Sequence, residues 1–195
     1  MRRKEGKSKK SVIRDWAESI IIAFLLAAVI RVFFVQAFKI PTGSMRMTLV
    51  EGDIILVNKL VYGAKIPFTK FRTPAITAPR RGDVIVFIYP DNPKKDFIKR
   101  LVGLPGETVQ IKEGTIYINE RPLADSVFSK RYYYNRGDYG AEGKKVVVPE
   151  ESFFVLGDNS ASSQDSRYWG FVPYKNLLGR ALIIYWPPQR IRIIR

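Results

Sequence analysis

Asp96-Phe97-Ile98-Lys99-Arg100-Leu101-Val102-Gly103-Leu104-Pro105-Gly106-Glu107 is the stretch on which the fold turns. It reads as a β-strand closed by a Pro-Gly turn signal. Period-two alternation puts Phe97, Lys99 and Leu101 on one face and Ile98, Arg100 and Val102 on the other, so Lys99 shares its face with two large apolar groups. A lone lysine there would ordinarily be a charge that protects a sheet edge from aggregation. A lysine pressed among apolar neighbours has another use, because burial disfavours the ammonium and pulls its pKa toward neutrality.

Outward from this strand the pattern repeats. Period-two or continuous β-branched runs occur at Ile54 to Leu60, Val84 to Tyr89, Val109 to Lys112, Thr115 to Ile118, Lys145 to Val148, Phe153 to Leu156 and Ala181 to Trp186. Long helical periodicity is absent beyond Leu49, which predicts a mainly β domain. Glu51-Gly52-Asp53-Ile54-Ile55 and Arg81-Gly82-Asp83-Val84-Ile85 each deliver a strand from a glycine turn, a local device too short to be a repeat. Lys112-Glu113-Gly114 reads as a hairpin turn. Asp125 to Gly143 carries turn residues and little pattern, and is expected to form a loop or small excursion from the sheet. Its Arg136-Gly137-Asp138 is too short to carry an adhesion reading. The alternating Arg190-Ile191-Arg192-Ile193-Ile194-Arg195 fits either a last strand or a membrane-surface tail.

Composition restricts the chemistry. The chain has no histidine and no cysteine, so a serine nucleophile must pass its proton to a lysine or a carboxylate. Disulfides and thiolate metal sites are excluded, and neither a metal nor a cofactor is expected. The formal net charge of +15 calls for an anionic partner or surface. Tyr132-Tyr133-Tyr134 beside Lys130, Arg131 and Arg136 has the look of a stacking platform for single strands. No nucleic-acid module accompanies it, and anionic lipid headgroups explain the charge more simply, so membrane lipid and no nucleic acid is the expectation.

The N-terminus supports that choice. Residues 1–15 form a basic arm, and Ile20 to Ile30 is wholly apolar before Arg31 interrupts and Val32-Phe33-Phe34-Val35 resumes. Trp16 to Phe38 gives roughly 23 residues, enough at about 1.5 Å each to cross a ~30 Å hydrocarbon core with tilt, Arg31 snorkelling outward. The basic flank predicts a cytoplasmic N-terminus, a transmembrane helix over 16–38 and an extracytoplasmic domain over 39–195. A cleavable signal peptide ending near Val35-Gln36-Ala37 competes, but an arginine and four large residues separate the apolar run from that site. As an anchor, the helix would hold Ser44 within about 20 Å of the bilayer.

Ser44 lies in Ile40-Pro41-Thr42-Gly43-Ser44-Met45-Arg46-Met47-Thr48-Leu49, where Pro41 and Gly43 bracket an approach able to present a hydroxyl and a backbone N–H together. A third cluster, Leu156 to Gly170, is rich in small polar residues and includes Asp158, Asp165 and Arg167. In this order and spacing the three stretches resemble the bacterial type I signal peptidases, membrane-bound enzymes with a serine-lysine dyad. Pro41-Thr42-Gly43-Ser44-Met45 with Thr48-Leu49 matches the nucleophile box, Lys99 to Glu107 the lysine box, and Gly157-Asp158-Asn159 with Ser163 and Asp165-Ser166-Arg167 the third box. Met47, Ser160 and Ala161 depart from the usual proline, arginine and acidic residue, and the last two remove an ion pair from the third box.

The resemblance implies a β-barrel-like catalytic domain preceded by one transmembrane helix. It implies Ser44 as nucleophile, Lys99 as general base, Thr42 and the Ser44 N–H as the oxyanion hole, Ser163 as the support of the lysine amine, and Asp158, Asp165 and Arg167 as braces. The implied reaction is removal of signal peptides from exported preproteins at Ala-x-Ala-like sites, at the cell membrane and in contact with the export machinery. Two other readings compete. A self-cleaving serine-lysine repressor would need a DNA-binding domain where this chain has its apolar segment. An inactive membrane-tethered β adaptor would not need Ser44 and Lys99 intact.

Overall fold

The computed structural model describes residues 9–66, 69 and 71–195, with backbone alone at 9–13 and Val32. The basic arm over residues 1–8 lies outside the described residues. Helix α1 spans Lys9–Val29 and continues through a π-helical turn, Ile30–Phe34. The strands are β1 Val35–Lys39, β2 Ile54–Asn58, β3 Val84–Ile88, β4 Asp96–Gly103, β5 Thr108–Lys112, β6 Thr115–Ile118 and β7 Arg121–Pro122, then β8 Lys145–Val147, β9 Ser152–Leu156, β10 Val172–Pro173, β11 Leu177–Trp186 and β12 Arg192–Ile193. Two short helices, α2 Ser126–Ser129 and α3 Ser166–Trp169, sit in the long loops.

The chain is mainly β, as its alternation predicts. The larger sheet follows the order β1-β2-β11-β3-β4-β9-β10, with β12 paired to β11, and the smaller one runs β7-β6-β5-β8. Lys112↔Thr115 closes the β5–β6 hairpin, with Glu113 and Gly114 both at positive φ, 48° and 78°, as a type I′ turn requires. The C-terminal alternation resolves as a strand, β12.

The expected helix over 16–38 is corrected at its C-terminal end. Val35 to Phe38 belong to β1, which pairs in antiparallel register with β2 from Val35↔Asn58 to Lys39↔Ile54. An apolar run reads alike as helix or buried strand, and the ladder offered by β2 decides it here. No helix among the described residues is long and apolar enough to cross a membrane. Lys9, Lys10, Arg14, Asp15 and Glu18 crowd the first half of α1. Its second half is apolar on every side and unpacked, with Ile20, Ile22, Phe24 and Leu26 all exposed.

Three apolar clusters position the site. Ile40, Met45 and Leu49 pack under β2, β3 and β11. Met45 and Leu49 are fully buried, so the segment carrying Ser44 is pinned on its far side by two side chains, each worth about 2–3 kcal/mol in buried area. On the opposite face, Leu101, Ile85, Phe87 and Val155 form a second cluster with Phe97 against it. The third fastens the smaller sheet to the ends of β4 and β9 through Val102, Phe154, Val109 and Phe128. The alternation of β4 thus feeds separate clusters from its two faces.

Candidate active site

Ser44 sits in a 3-10 turn, Gly43–Met45, that follows an extended Thr42. The first N–H groups of such a turn have no carbonyl behind them, so the Ser44 N–H is free to face a ligand. The turn is tied to the third cluster: Asn159 donates from its backbone N to the Ser44 carbonyl at 3.0 Å and from Nδ2 to the Gly43 carbonyl at 3.0 Å. Asn159 was not singled out from sequence, although it stands inside the Gly-Asp-Asn triplet that marks the loop.

β4 brings Lys99 to the serine. Its Nζ donates to Ser44 Oγ at 2.7 Å and to the Ile98 carbonyl at 2.9 Å, and lies 5.4 Å from the centre of the Phe97 ring. Lys99 is 4% exposed. Burial drives its pKa from the ordinary 10.5 down to about 8, against the opposing pull of the Asp165 and Asp158 carboxylates. A substantial neutral fraction near physiological pH follows, which is what a general base needs.

Ser163 Oγ is buried without a hydrogen-bond partner among the described residues, and the Lys99 amine donates to the Ile98 carbonyl. Thr42 is exposed on the cleft wall. Asp165 and Arg167 are both fully buried and joined by two bonds, Nε to Oδ1 at 2.8 Å and Nη2 to Oδ2 at 2.9 Å. Asp165 also accepts from the Gly157 N–H at 3.0 Å, and Arg167 reaches Ser160 Oγ at 2.8 Å, so the pair holds the third loop in shape.

Asp158 draws its charged partner from outside the third loop. Asp158 takes a two-pronged contact from Arg100, Nε to Oδ1 and Nη2 to Oδ2, both at 2.7 Å. Thr48 Oγ1 donates to the same carboxylate. Arg100 lies on the face of β4 opposite Lys99, and its role was not foreseen.

A cleft of about 370 Å³ opens over the dyad between Pro41–Ser44 and Asp96–Lys99, with Ser162 and Gln164 at one end. A smaller hollow continues it toward Phe38 and Ile40. β3 pairs with β4 from Val84↔Arg100 to Ile88↔Asp96, whereas the β9 ladder begins only at Arg100↔Leu156. The outer edge of Asp96 to Lys99 is therefore left without a ladder among the described residues, facing the cleft. No group of three or more acidic, histidine or cysteine residues able to hold a metal occurs among the described residues.

A mainly β fold that sets Ser44 against a buried lysine at an open cleft has the parts that a serine hydrolase needs. Similarity narrows the class. Residues 13–186 match the family of the signal peptidases, peptidase S26. The signal peptidase I of Pseudomonas aeruginosa is 34% identical, over 96% of this chain and 78% of its own length. That of Leptolyngbya laminosa is 38% identical, over 93% and 83% respectively. A solved signal peptidase I from Enterococcus faecalis is 39% identical, covering 54% of this chain and 98% of that one with a TM-score of 0.44. The chain belongs to the signal peptidase family S26, whose members are serine peptidases.

Proposed function

We propose that the chain cuts signal peptides from exported preproteins with Ser44 as nucleophile and Lys99 as general base. The observation that carries this is the 2.7 Å contact between Lys99 Nζ and Ser44 Oγ at a lysine buried almost completely. In the reactive state the amine is neutral and accepts the Ser44 proton as Oγ attacks the scissile carbonyl. The Ser44 N–H and the Thr42 hydroxyl receive the developing oxyanion, one such donor being worth ~3 kcal/mol of barrier. The protonated lysine then gives its proton to the departing amine, and a water activated by the regenerated base releases the acyl group from Ser44. Ser163, with its unpartnered Oγ beside Gly157, would accept from the third Nζ hydrogen after a turn of its χ1.

Substrate docks as a strand on the outer edge of Asp96 to Ile98, where backbone groups await a partner. Small side chains one and three places before the cut, as in Ala-x-Ala, suit a cleft that narrows from about 370 Å³ over Ser44 to a much smaller hollow toward Ile40. The apolar half of α1 supports membrane attachment, since a helix apolar all round finds no compatible surface in water. With a basic arm ahead of it, the N-terminus would be cytoplasmic and the catalytic domain outside, near the export machinery that delivers preproteins.

The test is cleavage, in detergent, of a preprotein bearing an Ala-x-Ala site by the wild type beside Ser44→Ala and Lys99→Ala. Loss of activity in both variants with folding retained is expected. Cleavage surviving in Lys99→Ala would remove the dyad, and an inactive wild type would favour an adaptor role.

A further inference from the structure

One buried carboxylate, Asp158, receives two guanidinium groups. Arg100 already occupies both of its oxygens. Arg131 comes from the excursion after α2 and reaches Oδ2 at 3.3 Å, while the same Nη2 donates to Thr48 Oγ1 at 3.1 Å. The Arg131 side chain is only 11% exposed and its Nε is buried with no partner among the described residues. Bringing a second cation out of water toward a carboxylate that is already paired is unfavourable, and an apolar side chain would fill that space more cheaply.

What this arrangement secures is position. Thr48 lies four residues after Ser44 on the same loop. Asp158 immediately precedes Asn159, which holds the Ser44 and Gly43 carbonyls. Arg100 immediately follows Lys99. We infer that Arg131 is a positioning residue through which the excursion of the smaller sheet fixes the distance between Ser44 and Lys99, an inference that rests on the dyad reading above. Without it, Thr48 and Asp158 keep Arg100 alone, and the Thr48 hydroxyl loses its direct bond to the excursion.

The charges around the two groups give the inference an independent signature. Asp158 is faced by Arg100, Arg131, Thr48 and, at longer range, Tyr133. Lys99 is faced by Ser44, the Phe97 ring and the fields of Asp158 and Asp165, with Asp96 on the cleft wall. Removing the Arg131 cation leaves Asp158 less neutralised, so Lys99 holds its proton more tightly and the acid limb of activity moves to higher pH.

The experiment compares the full chain in detergent with Arg131→Gln, Arg131→Met and Arg131→Lys, following cleavage of an Ala-x-Ala preprotein, its pH profile and thermal unfolding. The uncharged variants are expected to lose ~10-fold in kcat with KM little changed and to shift the acid limb upward. Arg131→Lys, whose ammonium can replace the single Nη2 donor, is expected to recover kcat and restore the limb. Wild-type kcat and pH profile in a folded uncharged variant overturn the inference, as does a lowered melting temperature with unchanged kcat per folded molecule. Failure of both uncharged variants to fold beside a folded Arg131→Lys assigns a purely structural role and overturns it too. Lys99→Ala run in parallel separates the two readings: if it stays active the dyad fails, and if it is dead while Arg131→Met is fully active only this inference fails.

Discussion

Asn159 holds the carbonyl of Gly43 with its side chain and the carbonyl of Ser44 with its backbone, each at 3.0 Å. Both bonds pull the nucleophile turn from behind, so the free N–H of Ser44 and its hydroxyl are turned toward the cleft. Asn159→Ala removes the side-chain bond and leaves the Gly43 carbonyl short of a donor. The expected cost is about 1 kcal/mol in stability, read by denaturant unfolding, with a larger effect on kcat than on KM. Asn159→Asp should be worse, because a carboxylate would face the carbonyl it now binds.

Activity should climb with pH. As the proposed base, Lys99 would work only when neutral, and its pKa lies at about 8 in the folded chain. Below that value kcat/KM should fall about tenfold per pH unit, and above it the profile should level off. Preprotein cleavage measured from pH 6 to 10 decides this, and a flat profile down to pH 6 would remove Lys99 from the role of base.

Gly157→Ala should damage the site more than its size suggests. A Cβ at this position would stand 2.6 Å from the Ser44 carbonyl oxygen and run into Ser163 Oγ. The Ser44 carbonyl is backbone held by Asn159 and cannot easily yield. The expected result is a fall in kcat of at least tenfold together with a lower melting temperature. Gly157→Ala combined with Ser163→Gly should recover part of the stability, since one of the two collisions is then relieved.

Met47 occupies the left-handed region, φ 88°, and is 65% exposed. A β-carbon there costs on the order of 1 kcal/mol, and glycine would relieve it. Met47→Gly is expected to raise the melting temperature slightly without changing kcat. Proline, with φ fixed near −65°, does not fit the turn as it stands, and Met47→Pro should lower stability.

Much of this arrangement was legible because it rests on local pattern. The alternation of β4 places Lys99 and Phe97 on one face before any tertiary contact is known, and Glu113-Gly114 announces its hairpin. The contacts that complete the site join residues far apart in the chain. Nothing near Arg100 shows that it will meet Asp158, or near Arg131 that it will reach Thr48, since the first pair arises only when β4 and β9 are laid side by side and the second only when the excursion of the smaller sheet meets the larger one. The first strand was hidden for a related reason: Val35 to Phe38 continues an apolar run, and only the ladder to β2 separates it from the helix before it. The two-residue strands β7 and β10 are too short to show any period.

Burying Lys99 lowers the stability of the fold below neutral to mildly basic pH. Its folded pKa of about 8 lies under the ordinary lysine value of 10.5, so between those values the unfolded chain binds more protons than the folded one. Stability attributable to this group therefore rises with pH across that window and is lowest below about pH 8, where the buried amine must carry its charge. The difference amounts to roughly 3 kcal/mol. Lys99→Met places an apolar chain of similar length in the same slot and abolishes this dependence. The wild type should consequently be less stable than Lys99→Met at pH 7 and should regain about that amount relative to it by pH 10.5, measured by urea unfolding of both proteins in the same detergent. A constant difference between the two across that range would mean that Lys99 keeps an ordinary pKa in the folded chain.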